Sequence, residues 1–348
     1  MDTWKRRRSE LWSAMRLNAP EKFCVVVALG LSLGLILRAQ SKSSPAGKSA
    51  ASSPAQPKKS WRIAHTPNGQ PDIQGIWLNF DATPFERPDP SDPSEKPAPP
   101  TTALSSSGQP IPTLSLSFDD SVKRESKRPS MVVDPPNGRV PLTKWAEETR
   151  DYSLAHVHDS WIYNTPWERC ITRGVPGGIF PVIYDNAYQI FQIPGYVVIL
   201  YDMIHDARII PIDGRPHLPS NVTQWNGDPR GHWEDNTLVV ETTNFNGKGM
   251  MASAQLNGRI RSIPESEQTR IVERFTRVDD KTIDYEVTVT DPKAYTAPWK
   301  VAMPLVLDNT YKMYEYACHE GNRNYMEITL GAGRAQDRAV EEKTSDKK

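Results

Sequence analysis

The sequence predicts a mainly β protein, an antiparallel meander closing into a barrel or a sandwich, with one N-terminal-side helix and long proline-rich loops. Three observations carry this. From about residue 180 apolar and polar residues alternate with a period of two, as in Tyr285, Val287 and Val289 against Glu286, Thr288 and Thr290, the pattern of a sheet with one buried face. Turn signals such as Pro194-Gly195, Asp213-Gly214 and Asp279-Asp280 separate these runs, so successive strands pair as hairpins. Of 31 prolines, 18 fall between residues 41 and 141. Proline lacks the amide donor that helices and central strands need, so that region is mostly loop.

Taken in order, Lys5, Arg6, Arg7, Arg8, Arg16 and Lys22 precede an apolar run over 23–37 that contains no charge. The run is shorter than the ~20 residues of a comfortable membrane span, and its basic flank keeps the N-terminus inside. Residues 1–39 are therefore expected to be a signal peptide cleaved near Ala39, or an uncleaved N-terminal anchor. Residues 40–60 hold no large apolar side chain and read as a flexible tether. A single β-rich domain is expected over 61–334, opening with a strand at 72–77 and interrupted by a proline-rich loop at 88–110. A helix is expected over 142–158: Thr143 suits the N-cap, and Trp145, Thr149, Tyr152 and His156 share one stripe.

Strands are expected at 188–193, 196–203, 208–213, 237–243, 270–278, 282–290 and 298–307, with a short one at 313–318. No helical period follows residue 160, which argues against a doubly wound parallel sheet. Residues 335–348 form a charged tail.

Composition narrows the function classes. Lys+Arg and Asp+Glu both number 42, so no basic excess favours a nucleic-acid partner. At 37% hydrophobic and 24% charged, the chain fits neither collagen, coiled coil nor a multi-span membrane protein. Outside the apolar run only Cys170 and Cys318 remain of the 3 cysteines. In an oxidising compartment such a pair is expected to form a disulfide. Two separate buried thiols are the alternative.

The segments TPNGQPDIQGIW (66–77), ERCITRGVPGG (168–178), MIHDARIIPIDGRPH (203–217), GDPRGHWEDNTLVVETTNF (227–245) and YACHEGN (316–322) occur together in this order. In wording and order they resemble a family of uncharacterised secreted soil-bacterial proteins, and the likeness spans nearly all of 61–334. The family pattern has glycine where this chain has Asp235-Asn236. A second resemblance concerns fold. Gly75-Ile76-Trp77 looks like the G-x-W of lipocalin-like β-barrels, which implies a Trp plugging one barrel end and an Arg from a late strand stacked on it.

Motifs that would fix a reaction are missing: the chain has no G-x-S-x-G, G-x-x-x-x-G-K-[ST], H-E-x-x-H or C-x-x-C. What remains are polar clusters near strand ends. His205, His217, His232, Glu234 and His319 offer imidazole and carboxylate donors that suit zinc or iron, with His232 and Glu234 on one strand face. Arg208, Arg215 and Arg230, each within two residues of an Asp, can clamp an anion or pair structurally with that Asp. Without metal, His232 with Glu234, or His319 with Glu320, can act as a base and its orienting acid. Trp161, Trp167, Tyr184, Tyr188, Tyr196, Trp225 and Trp233 supply stacking surfaces or ordinary core. Arg208, Arg215, Arg230 and Trp233 are thus the expected ligand contacts, and no residue is assigned as catalytic.

The leading expectation is an exported protein binding a small molecule in a barrel-like fold, touching a membrane only through an uncleaved anchor. The alternatives are a metal-dependent, hydrolytic His/Glu enzyme and an envelope interaction module.

Overall fold

The period-two segments do form strands. The computed structural model describes residues 61–79, 83–89, 128–182, 186–251 and 259–345. The expected export segment, the expected tether and most of the expected 88–110 loop lie outside them. The main sheet uses β1 (Gly75–Leu78), β2 (Val132–Asp134), β3 (Ala187–Ile193), β4 (Tyr196–Tyr201), β5 (Ala207–Pro211), β6 (Asp228–Glu234), β7 (Thr237–Thr243), β10 (Arg270–Arg277), β11 (Thr282–Thr290) and β12 (Trp299–Leu307). Between β7 and β10 lies a separate small ladder, β8 (Met250–Met251) with β9 (Ile263–Pro264).

The main sheet runs β5-β4-β3-β1-β12-β11-β10-β7-β6, with β2 beside β12. All of its pairs are antiparallel. Its two ends meet, so the sheet nearly closes into a barrel. At that seam Gly231 of β6 comes so close to β5 that a Cβ there would stand 2.9 Å from Ile210 Cγ2. Only glycine lets the two ends approach this far.

Register places the apolar alternates in layers. Leu238, Phe275, Tyr285 and Met303 follow one another across β7, β10, β11 and β12, as do Thr242, Ile271, Val289 and Trp299. All of these side chains are buried. Fully burying each large apolar side chain contributes about 1.5–3 kcal/mol. The interior is thus filled by side chains, with one charged pair inside it, Arg208 and Glu273. Trp77 is fully buried: its indole N–H donates to Ile73 O at 2.9 Å, and the Arg277 guanidinium lies 5.6 Å from its ring centroid.

Helix α1 (Lys144–Ala155) starts as expected, with Thr143 Oγ1 accepting from Ala146 N–H at 3.2 Å. Its buried side chains are Ala146 and Ser153, not the aromatic stripe. Small residues let the helix backbone sit close, which leaves Tyr152 53% exposed and stacked on His156.

The C-terminal region differs from expectation. Residues 313–317 are irregular, and a second helix, α2 (Cys318–Ser345), runs on through most of the charged tail. Because α2 follows the last strand, it leaves the antiparallel order intact. Cys170 and Cys318 are joined in a disulfide, Cα to Cα 5.7 Å, pinning the start of α2 to the loop after α1. Its later turns are held by His158 Nδ1 at 3.0 Å from Thr329 O. No helix among the described residues is long and apolar enough to cross a membrane.

Candidate functional site

Two open clefts flank the barrel, and they treat their cations differently. The smaller, about 730 Å³, lies at the β5–β6 seam and is bordered by Arg208, Arg215 and Arg230, three of the four expected ligand contacts. Each already has a carboxylate partner. The Arg208 side chain turns into the barrel and meets Glu273 with two parallel bonds, 3.0 and 2.5 Å. Arg215 Nε donates to Asp213 at 2.9 Å, and its Nη2 donates to Tyr196 OH at 2.9 Å. That guanidinium holds the Asp213 carboxyl down at about 2. Arg230 donates to Asp228 Oδ1 at 2.6 Å and to Pro216 O at 2.8 Å. The Asp–Arg alternation in the sequence thus becomes structural pairing that ties the 213–218 loop to β6. Trp233 does not border this cleft. It packs partly buried against the core, its indole N–H buried without a partner among the described residues.

The expected metal ligands separate into local pairs. His217 Nδ1 lies 3.0 Å from Asp228 Oδ2. His232 and Glu234 share a face of β6 at 3.1 Å, as expected, but stand in solvent, with Arg274 2.9 Å from the same Glu234. The Arg274 bond, then His232, hold Glu234 below the usual carboxylate range. His319 is exposed in the first turn of α2, and the His205 side chain lies outside the described ones. Among the described residues no group of three or more His, Cys, Asp or Glu can hold a metal ion, so nothing here assembles the expected zinc or iron set.

The larger cleft, about 830 Å³, was not expected. Its walls are α1 (Trp145, Thr149), the short helical turn Trp161–Tyr163, Arg169, Trp225, the 246–250 loop, the 264–268 segment and Lys293. Arg169 is its central feature. The guanidinium lies 4.7 Å from the Trp161 ring centroid and 5.8 Å from that of Trp225. Among the described residues it makes no hydrogen bond or ion pair. Burial beside the rings lowers its pKa, yet an arginine stays charged under any such shift. Lys293 Nζ sits 4.2 Å from the Trp145 centroid, also without an ion pair among the described residues. Aromatic faces stabilise a cation by ~0.5–2 kcal/mol while leaving its N–H edges free to donate.

The local chain explains how Arg169 comes to be held. Cys170 adopts φ 56° and is fixed by the disulfide, so the residue before it has little freedom. The floor of the cleft is organised by Asp291, a buried carboxylate that accepts from Ser266 N–H, Ser266 Oγ, Thr269 Oγ1, Lys293 N–H and Ala294 N–H. Thr143 Oγ1, at the start of α1, donates to Lys293 O at 2.7 Å and fixes the helix against this turn.

Of this site, sequence reading reaches Trp161 and Trp225 as stacking surfaces and misses Arg169, Trp145, Glu265 and Lys293. The position of Arg169 beside a disulfide cysteine is the one signal that points to a fixed side chain. Compared with known proteins, the chain matches no family, no curated protein and no solved structure.

Proposed function

We propose that this is an exported protein that binds a small organic anion in the cleft between α1 and the β8–β9 ladder. One observation carries the reading: the Arg169 guanidinium is held between two tryptophan rings, half-buried, with no hydrogen-bond or ion-pair partner among the described residues. A guanidinium fork presented this way matches a carboxylate bidentately. The cleft volume falls in the range of small-molecule sites, ~300–1,000 Å³, whose walls are largely apolar and aromatic. Arg169, Lys248 and Lys293 line the same cleft against Glu267, so its long-range field also favours an anion.

Export is supported by the basic-then-apolar N-terminus and by the disulfide, which suits an oxidising compartment. The lipocalin-like resemblance gains support from Arg277, a late-strand arginine, on the ring of Trp77. The filled interior with its charged pair favours the flank over the lumen as the binding place.

The test is a thermal-shift titration of the whole chain with ring-bearing carboxylates, using Arg169→Gln as comparison. The wild type should melt higher as the anion is added and Arg169→Gln should not respond. Equal responses of the two proteins would remove the reading.

A further inference from the structure

A second unusual group shares the cleft with Arg169. Glu265 is only 7% exposed, and among the described residues no side chain or backbone group hydrogen-bonds its carboxyl. Its residue lines the cleft, so the carboxyl is within reach of a bound molecule. Space for the carboxyl depends on Gly249, where a Cβ would overlap Glu265 Oε2. Asp291, close by, shows the opposite arrangement, with donors converging on both of its oxygens. Two neighbouring carboxyls, one saturated and one bare, divide the roles of charge and proton between them. Burial, then the Asp291 charge, push Glu265 up to about 8. Tyr295, also behind it, is pushed well above its usual value by burial, then by Glu265 and Asp291, and stays neutral. The charged groups on the cleft side are Arg169, Lys248, Lys293 and Glu267.

We infer that Glu265 is the second ligand contact, a neutral carboxylic acid donating a hydrogen bond to an oxygen of the anion held by Arg169. The ligand class follows: a carboxylate on a ring, with a carbonyl or hydroxyl oxygen remote from the charge. The ring stacks on the tryptophans, the carboxylate meets the guanidinium, and the remote oxygen fills the empty valence of Glu265. Sugar acids and hydroxylated aromatic acids share this chemistry. The inference rests on the cleft being an anion site. Site acids kept protonated near neutral pH are a recurrent mark of ligand contacts.

Isothermal titration calorimetry on the whole chain tests it, with benzoate, 4-(hydroxymethyl)benzoate and glucuronate as probes at pH 6.5 and pH 9. At pH 6.5 the wild type should bind one of the oxygenated anions about tenfold more tightly than benzoate, the margin of one good hydrogen bond. Which one does so separates the aromatic from the sugar source. At pH 9 Glu265 has lost its proton, and the added negative charge in the cleft should weaken the binding of all three anions. Glu265→Gln, whose amide still donates, should keep the preference at both pH values, and Glu265→Leu should bind all three alike. Equal affinity of the wild type for all three probes, weakened in every case by Arg169→Gln, would overturn the role of Glu265 and leave the cleft. No binding, or binding that ignores Arg169→Gln, would overturn both.

Discussion

Arg208 and Glu273 face each other inside the barrel, joined by two parallel hydrogen bonds, although β5 and β10 are not paired with each other in the sheet. Their side chains are 2% and 0% exposed. Tyr285 OH donates to Glu273 Oε1 at 2.9 Å, while Arg208 donates to Tyr201 OH at 3.2 Å and to Thr242 Oγ1 at 3.3 Å. Burial alone would lower the arginine, but the glutamate charge outweighs it and raises its pKa. The pair spans the interior from one wall to the other, which suits fixing one register over its alternatives more than adding net stability.

Removing one partner should therefore cost more than removing both. Arg208→Met alone leaves a buried carboxylate uncompensated and is expected to destabilise by about 3–5 kcal/mol. Arg208→Met combined with Glu273→Leu should recover much of that loss. Urea denaturation of the three variants checks this, and a double variant no more stable than the worse single one would contradict it.

The disulfide closes a loop between residues 148 apart. In the chain-entropy model a loop of this length stabilises by about 5 kcal/mol, an upper figure for real proteins. Cys170→Ser with Cys318→Ser should lower the melting temperature under non-reducing conditions. An unchanged melting temperature would show that the link does not constrain the unfolded chain. The same variant should weaken ligand binding, because Arg169 is held by its neighbour Cys170.

Glu265 makes stability depend on pH in a definite direction. Unfolded, it ionises near 4.5, whereas folded it holds its proton up to about 8. Between those values the folded state keeps a proton that the unfolded state has released. Stability from this group is therefore complete below pH 4.5 and is lost as pH rises toward 8, by about 1.4 kcal/mol per unit. Glu265→Gln should flatten that slope in denaturation curves at pH 5, 6, 7 and 8. An identical slope in wild type and variant would mean that the carboxyl ionises normally.

Much of the barrel is legible in the sequence because a strand with one buried face writes its period directly into side-chain type. The 282–290 and 237–243 segments do so and become β11 and β7 with the expected bounds. Strand β6 does not: its Asp228, Arg230, His232 and Glu234 read as a polar cluster, since the seam glycine Gly231 replaces an apolar inward residue. Helix α2 escapes for a related reason. It lies on the surface, with Ile328 75% exposed, so no apolar stripe marks it, and Gly321, Gly331 and Gly333 interrupt its helix formers.

The candidate cleft is legible only in fragments. Its walls come from separate segments spread between residues 145 and 293, and no local pattern links them. Arginines beside aspartates are conspicuous in sequence, yet that same proximity commits Arg215 and Arg230 to their neighbours. Arg169 is inconspicuous and uncommitted, since the nearby Glu168 is engaged by Arg261 at 2.8 Å. Glu265 gains its character from burial and from Asp291, neither of which sequence spacing reveals.

The most direct measurement is native mass spectrometry of the whole chain beside its Arg169→Gln variant. The wild type should carry the added mass of a small organic anion, and the variant, equally folded, should be bare. Identical spectra for the two proteins would contradict the proposed anion site.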